Sequence, residues 1–147
     1  MSTLLDTNVL SEVLRAQPDE TVLAWLAAQP AETLFVSAVT QAEMLLGARL
    51  LPASKRRQQL QDALDIMFAE DFAGRVLPFD SAAAFAYAGV VALRRTAGRP
   101  ISQFDAQIAA IALSRRAVLA TRNVSDFEGC GVALRNPWES TGSAGVS

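Results

Sequence analysis

Five short apolar runs, at residues 3–5, 34–36, 76–79, 117–120 and 132–134, constrain this chain more than any other feature. Most of the text between them is long enough for one or two helices and carries helix-like spacing instead of a tight hairpin turn. Strands joined that way pair in parallel, and the connecting helices cover both faces of the sheet. An early helix holds Val9, Leu10, Val13 and Leu14. Asp19 and Glu20 precede a second, with Val22, Leu23, Trp25 and Leu26, which Pro30 stops. Residues 40–51 form another, ended by Pro52, and Ser54 caps one whose apolar face is Leu60, Leu64, Met67 and Phe68. Ser81 opens a helix running through Phe85 and Val91 to about Arg95, and Ser102 opens one with Ile108, Ile111 and Ala112 facing inward. The pattern predicts an α/β fold with a central parallel sheet of about five short strands. It spans one domain over residues 1–138, followed by a small, polar tail at 139–147 that frays. A chain of 147 residues suffices for such a core, burying about 70% of the surface exposed when unfolded.

Absences narrow the chemistry. The chain has no His, and its one Cys, Cys130, excludes an internal disulfide. Ser-His-Asp and Cys-His nucleophilic sites and the usual zinc sites are thereby removed. Reactivity must come from carboxylates, amides, hydroxyls and Arg, and oxygen donors of this kind suit Mg²⁺ or Mn²⁺. No apolar stretch approaches the ~18 residues of a membrane span, and no basic segment leads into a long apolar core. With the lone cysteine, this predicts a cytoplasmic protein without a membrane partner. The net charge of −2 sets 13 basic against 15 acidic residues. If four acids are set aside as a site, the remaining 11 face 13 bases, 12 of them Arg, a balance of +2. Arg15, Arg49, Lys55-Arg56-Arg57, Arg94-Arg95, Arg115-Arg116 and Arg122 are then available for phosphates, although any one cluster taken alone is better explained as a solvated surface.

Four acids fall where open α/β sheets build their sites, beyond the carboxyl ends of the strands. Asp6 follows the first strand in "LLDTNV", and Glu43 lies about one turn into the helix after the second, in "VSAVTQAEMLLGA". Asp126 follows the fourth strand in "VLATRNVSDFEG". Asp105, in "ISQFDAQIAAIA", opens the helix leading into the fourth strand, so it joins the others only if that helix begins at the same end. Each also has a structural explanation: Asp6 as an N-cap, Ser102 with Asp105 as a capping box, Glu43 as a solvated helix residue, Asp126 as an Asx-turn.

Taken as a set, "LLDTNVLSE", "SAVTQAEMLLGARL", "ISQFDAQIAAIAL" and "LATRNVSDFEG" closely resemble the motifs of PIN-domain proteins, in particular VapC-type toxins of toxin–antitoxin modules. "GRVLPFD" and the ending "NPW" resemble the FitB-like branch, and the resemblance runs from Leu4 to about Trp138. It implies a three-layer α/β/α PIN-like fold and a metal-dependent ribonuclease. Asp6, Glu43, Asp105 and Asp126 match the acidic positions that bind one or two Mg²⁺ or Mn²⁺ ions, and Thr7, Asn8, Thr121 and Asn123 match small polar positions that line or brace the site. It also implies a homodimer, an RNA substrate, and a cognate antitoxin through which alone the toxin meets operator DNA.

The implied chemistry has its own physical logic. Two carboxylates 4 Å apart repel by about 4 kcal/mol at an effective dielectric near 20, so four together favour divalent cations. Asp6 and Asp105 then serve as direct ligands, Glu43 ligates or orients water, and Asp126 completes a second position or holds ordered waters. A competing reading makes the chain an antitoxin-bound DNA-binding regulatory partner with little nuclease activity, which four acids do not exclude. Other carboxylate chemistries fit poorly. A haloacid-dehalogenase-type phosphohydrolase needs D-x-D where Asn8 stands, and a receiver domain needs a Lys after its fifth strand where the only Lys is Lys55. Leu10, Leu14, Trp25 and Leu26 form the region that, by the resemblance, receives the antitoxin.

Overall fold

In the computed structural model, which describes residues 1–139 and 145–146, the first apolar run becomes the hub of the sheet. Strand β1 (Thr3–Leu5) passes into α1 (Thr7–Val13) and α2 (Glu20–Ala27), and β2 (Leu34–Ser37) into α3 (Ala38–Arg49) and α4 (Lys55–Ile66). Strand β3 (Val76–Leu77) leads to α5 (Ser81–Thr96) and α6 (Gln103–Ser114), then β4 (Val118–Ala120), a short α7 (Val124–Phe127) and β5 (Ala133–Arg135). A last pair of residues, β6 (Gly145–Val146), closes the edge. The order across the sheet is β3-β2-β1-β4-β5-β6, parallel throughout except for β6, which runs antiparallel to β5.

Alternation along three-residue strands divides the core in two. Leu4, Leu119 and Leu134 face α5, α6 and α7, packing with Val90, Ile108, Ile111 and Phe127. Leu5, Val36 and Ala120 face α1 to α4, packing with Val9, Val22, Leu64 and Phe68. Both faces of the sheet are therefore covered, the three-layer α/β/α arrangement expected of these runs. Among the described residues no helix is long and apolar enough to cross a membrane.

Departures from expectation have local causes. The helix expected from residue 40 starts at Ala38, because Ser37 caps it by accepting the Thr40 N–H at 3.0 Å. The helix opened by Ser81 is capped by Asp80, whose carboxylate accepts the Ala83 N–H at 3.0 Å. Beyond α4 the chain widens into a π-helical turn, Met67–Asp71, closed by the Phe72 N–H on the Met67 carbonyl. Met67, Phe68 and Phe72 join Leu64 in one core across this turn. Most of the polar tail lies outside the described residues; within it, Gly145 and Val146 pair with Leu134 and Ala133 as the sixth strand.

Leu119 sits wholly buried in a central strand. Leu119→Ala should destabilise the protein by about 2–5 kcal/mol, read from urea denaturation, because the surrounding helices cannot collapse into the space it leaves.

Candidate active site

The chain winds outward from β1 through β2 to β3, then returns to lay β4 on the other side of β1. The carboxyl ends of β1 and β4 thus flank the topological switch point, where open sheets leave a crevice. The ladder continues one residue past the strands: the Asp6 N–H donates to the Ala120 carbonyl and the Thr121 N–H to that of Arg135, both at 2.9 Å. This register faces Asp6 with Thr121. The Thr121 hydroxyl, fully buried, donates to Asp6 Oδ2 at 2.7 Å, while Asp6 Oδ1 accepts the Thr7 N–H at 2.8 Å. Asn8 Nδ2 donates to Thr121 Oγ1 at 3.3 Å and more loosely to Asp6 Oδ2, and Asn8 Oδ1 accepts the Arg122 N–H at 3.3 Å. Asn123 braces through its backbone, its N–H donating to Thr121 Oγ1 at 3.0 Å. Thr7 and Thr40 share a hydroxyl–hydroxyl bond of 3.0 Å that ties the start of α1 to α3.

The remaining acids arrive from three elements. Glu43 is exposed on α3, Asp105 is half-buried in the first turn of α6, and Asp126 is exposed on α7. Asp6 is an N-cap as well as a member of this set. Asp105 receives half of a capping box, its N–H donating to the Ser102 hydroxyl at 3.2 Å. Asp126 forms no Asx-turn; its N–H closes a helical turn on the Asn123 carbonyl. Burial pushes the Asp6 carboxyl above its ordinary value, the Thr121 and Thr7 bonds oppose that, and the charges of Asp105 and Glu43 add to it. Burial likewise raises Asp105; the Ser102 hydroxyl opposes it, Asp126 and Glu43 raise it further, and Arg94 pulls it back. The four acids therefore feel one another in a chain, Asp6 through Asp105 and Glu43, and Asp126 through Asp105.

Asp6, Glu43 and Asp105 line an open cleft of 1510 Å³, together with Thr7, Asn8 and Asn123. Its walls are apolar at Leu14, Met44, Leu60 and Ile108 and basic at Arg15, Arg56 and Arg122. Arg122 lies over the Trp138 ring, 5.1 Å from its centroid, and Phe104 stands half-exposed at the rim. Asp126 is outside this wall. Other expected surfaces are corrected by burial or by pairing, Arg15 among them through Glu12 at 3.2 Å. Arg94 is 5% exposed and binds backbone carbonyls, so it is no phosphate contact, and Arg115 pairs with Asp80 at 3.6 Å. Leu10 belongs to the core, leaving Leu14, Trp25 and Leu26 half-buried on the expected partner face. Sequence reasoning missed Arg94 and Thr40 as parts of the site's frame. A signal for Arg94 existed: Ala83, Tyr87, Val90 and Arg94 follow one helical stripe, which marks the last as inward-facing.

The donor set fits a hard divalent cation. Only oxygens are offered, two carboxyls are held above their ordinary pKa by burial and like charge, and neither Asp6 nor Asp105 has an ion-pair partner among the described residues. No three acidic groups among the described residues stand close enough to share one ion as they are oriented here. The side chains with freedom to close that distance are the exposed Glu43 and Asp126.

The fold and the cleft define a class of three-layer α/β domain in which Asp6, Glu43 and Asp105 line a crevice beside the switch point of a parallel sheet. Residues 3–128 match the PIN domain, and the chain belongs to that family. VapC ribonuclease Y4jK of Sinorhizobium fredii is 46% identical over 136 residues, 92% of this chain and 97% of the relative. Toxin FitB of Neisseria gonorrhoeae is 43% identical over 135 residues, 92% of this chain and 97% of the relative. A structure of FitAB bound to an IR36 DNA fragment superposes with a TM-score of 0.88 at 42% identity, covering 93% of this chain and 96% of that one.

The raised Asp6 carboxyl fixes a sign for stability. Between the ordinary value of 3.8 and its raised folded value, the folded protein holds a proton that the unfolded chain has lost. Stability therefore falls as pH rises through that window and stays lowered above it. In EDTA at neutral pH, Asp6→Asn should melt at a higher temperature than the wild type, and the gap should close as pH falls through the window. A variant that melts well below the wild type in EDTA would contradict the desolvated, like-charged carboxylate described above.

Proposed function

We propose that this chain is the toxin of a toxin–antitoxin pair and acts as a Mg²⁺- or Mn²⁺-dependent ribonuclease. The observation that carries this reading is the buried Asp6 carboxylate. It is oriented by Thr121 and the Thr7 N–H, and it shares a cleft with Glu43 and Asp105 in a chain that has no His. Kinship with a VapC ribonuclease and with Toxin FitB supports the same assignment. Asp6 and Asp105 would hold the ion, Glu43 would ligate or orient water, and Asp126 would complete a second position. When bound, one or two such ions supply the acidified water and the charge neutralisation that His and Lys supply elsewhere.

The chain's own groups do the rest. Thr121 and the Thr7 N–H hold both Asp6 oxygens in place, so the carboxylate meets a cation without first reorganising. Arg56 and Arg122 on the cleft wall take phosphates flanking the scissile one, each a planar fork matched to phosphate oxygens, whereas Arg15 is engaged by Glu12 at 3.2 Å. Attack by water instead of a ribose 2′-hydroxyl leaves 5′-phosphate and 3′-hydroxyl ends. The apolar part of the cleft and the adjoining Leu14, Trp25 and Leu26 receive the antitoxin. The active unit is a homodimer in the cytoplasm, and contact with operator DNA comes through the antitoxin.

The FitAB–DNA structure favours a second reading, in which the chain serves mainly as the antitoxin's partner on DNA with little nuclease activity of its own. Cleavage of total RNA by antitoxin-free protein separates the two. With Mn²⁺ or Mg²⁺ the wild type should yield discrete fragments with 5′-phosphates, EDTA should stop the reaction, and Asp6→Asn or Asp105→Asn should reduce the rate by about 100-fold or more. Intact RNA in every lane, with tight operator binding by the antitoxin complex, would transfer the assignment to the regulator.

A further inference from the structure

Arg94 is a buried cation with no acidic partner. It is 5% exposed, lies near the end of α5, and makes no ion pair among the described residues. Its guanidinium instead grips backbone from two segments. Nε donates to the Arg99 carbonyl at 2.6 Å, and Nη1 donates to the carbonyls of Asp126 at 2.9 Å and Glu128 at 3.0 Å and to Cys130 Sγ at 3.4 Å. Burying a charge on carbonyls alone is expensive, so a simpler core residue would serve if filling space were the only purpose.

The two segments are the ones that carry Asp105 and Asp126. Arg99 begins the short linker into α6, whose first turn holds Asp105, and the other carbonyls belong to α7 and the loop behind it. The backbone is shaped around the guanidinium. Gly98, at φ +71°, turns the chain so that the Arg99 N–H donates to the Arg94 carbonyl and the Arg99 carbonyl comes back to Nε. Gly129, at φ +80°, passes close to the arginine stem; a Cβ there would stand 3.6 Å from Arg94 Cδ. An outer clasp duplicates the inner one, with Arg99 Nη2 donating to the Ser125 carbonyl at 3.3 Å and pairing with Glu128 at 3.8 Å.

We infer that Arg94 is a positioning residue: by binding the Arg99, Asp126 and Glu128 carbonyls at once, it sets the separation of Asp105 from Asp126 and thereby the affinity of the site for a divalent cation. The inference rests on the proposed ion-holding role of those acids. Two physical effects of the guanidinium have opposite signs, which makes it testable. As a charge beside Asp105, Arg94 repels a cation, so its loss would tighten binding. As a clamp on the two acid-bearing segments, it pre-organises the site, so its loss would weaken binding.

Mn²⁺ titration of the full-length chain, followed by calorimetry, distinguishes them. Arg94→Lys keeps the charge but cannot fork to three carbonyls, and it should bind Mn²⁺ about tenfold or more weakly. Arg94→Met, without charge or clamp, should also bind more weakly than the wild type. Val90→Ala, a core loss one turn away on α5, should lower thermal stability while leaving Mn²⁺ affinity unchanged. Should the Arg94 variants not fold, Arg99→Ala, which removes only the exposed clasp, should still weaken Mn²⁺ binding. Unchanged or tighter binding by the folded Arg94 variants, or by Arg99→Ala where those do not fold, overturns the inference while leaving the ion site standing. A wild type that takes up no Mn²⁺ overturns the ion site itself and this inference with it.

Discussion

The hydrogen bond from Thr121 to Asp6 joins residues 115 positions apart, and the site is arranged around it. It exists because β1 and β4 are parallel neighbours whose register, Leu5 opposite Ala120, puts the next residue of each strand side by side. One residue of slip would send the slipped strand's side chains to the other face and separate the pair, so the register that buries Leu4 and Leu119 in one core also aims Asp6 at Thr121. Asp6 then occupies a position no carboxylate favours on stability grounds, nearly buried and beside other acids. Donors on both of its oxygens make the position tolerable, and the same donors pre-organise it.

Electrostatics reconciles a net charge of −2 with the polyanionic substrate proposed for this chain. The acids that produce the negative sign are partly gathered in the cleft, where a cation would neutralise them, whereas Arg56 and Arg122 stand on the surrounding wall and Arg15 is paired with Glu12. Arg122 is held by its stack on Trp138 and its backbone by Asn8, so one of these wall cations is tied to the frame that orients Asp6. Charge counted along a sequence misses this separation into an acidic centre and a basic wall.

Much of the fold was legible because its signals are local. Apolar runs of three or four residues and helices with clear caps located nearly every element, and Asp6, Glu43 and Asp105 were visible from their places after strands or at a helix start. Legibility failed where distant packing decides the local shape. The π-helical turn at Met67–Asp71 answers to a core shared with Val9 and Val36, and α7 is a four-residue turn that few local preferences would stabilise alone. Arg94, read within a basic cluster, is buried because its carbonyl partners lie up to 34 residues further along the chain. Asp126 was found by position, but its exposure outside the cleft wall was not.

By itself the sequence determined the alternation of strands and helices, the exclusion of His and Cys chemistry, and the identities of the acids, since composition, periodicity and capping act within a few residues. Only the tertiary structure decided which acid is buried, which hydroxyl meets it, which arginines face the cleft and which one clamps the loop of Asp126. Those outcomes depend on strand order and register. These bring residues more than a hundred positions apart to within hydrogen-bonding distance, and burial then gives each contact a strength that no local pattern carries.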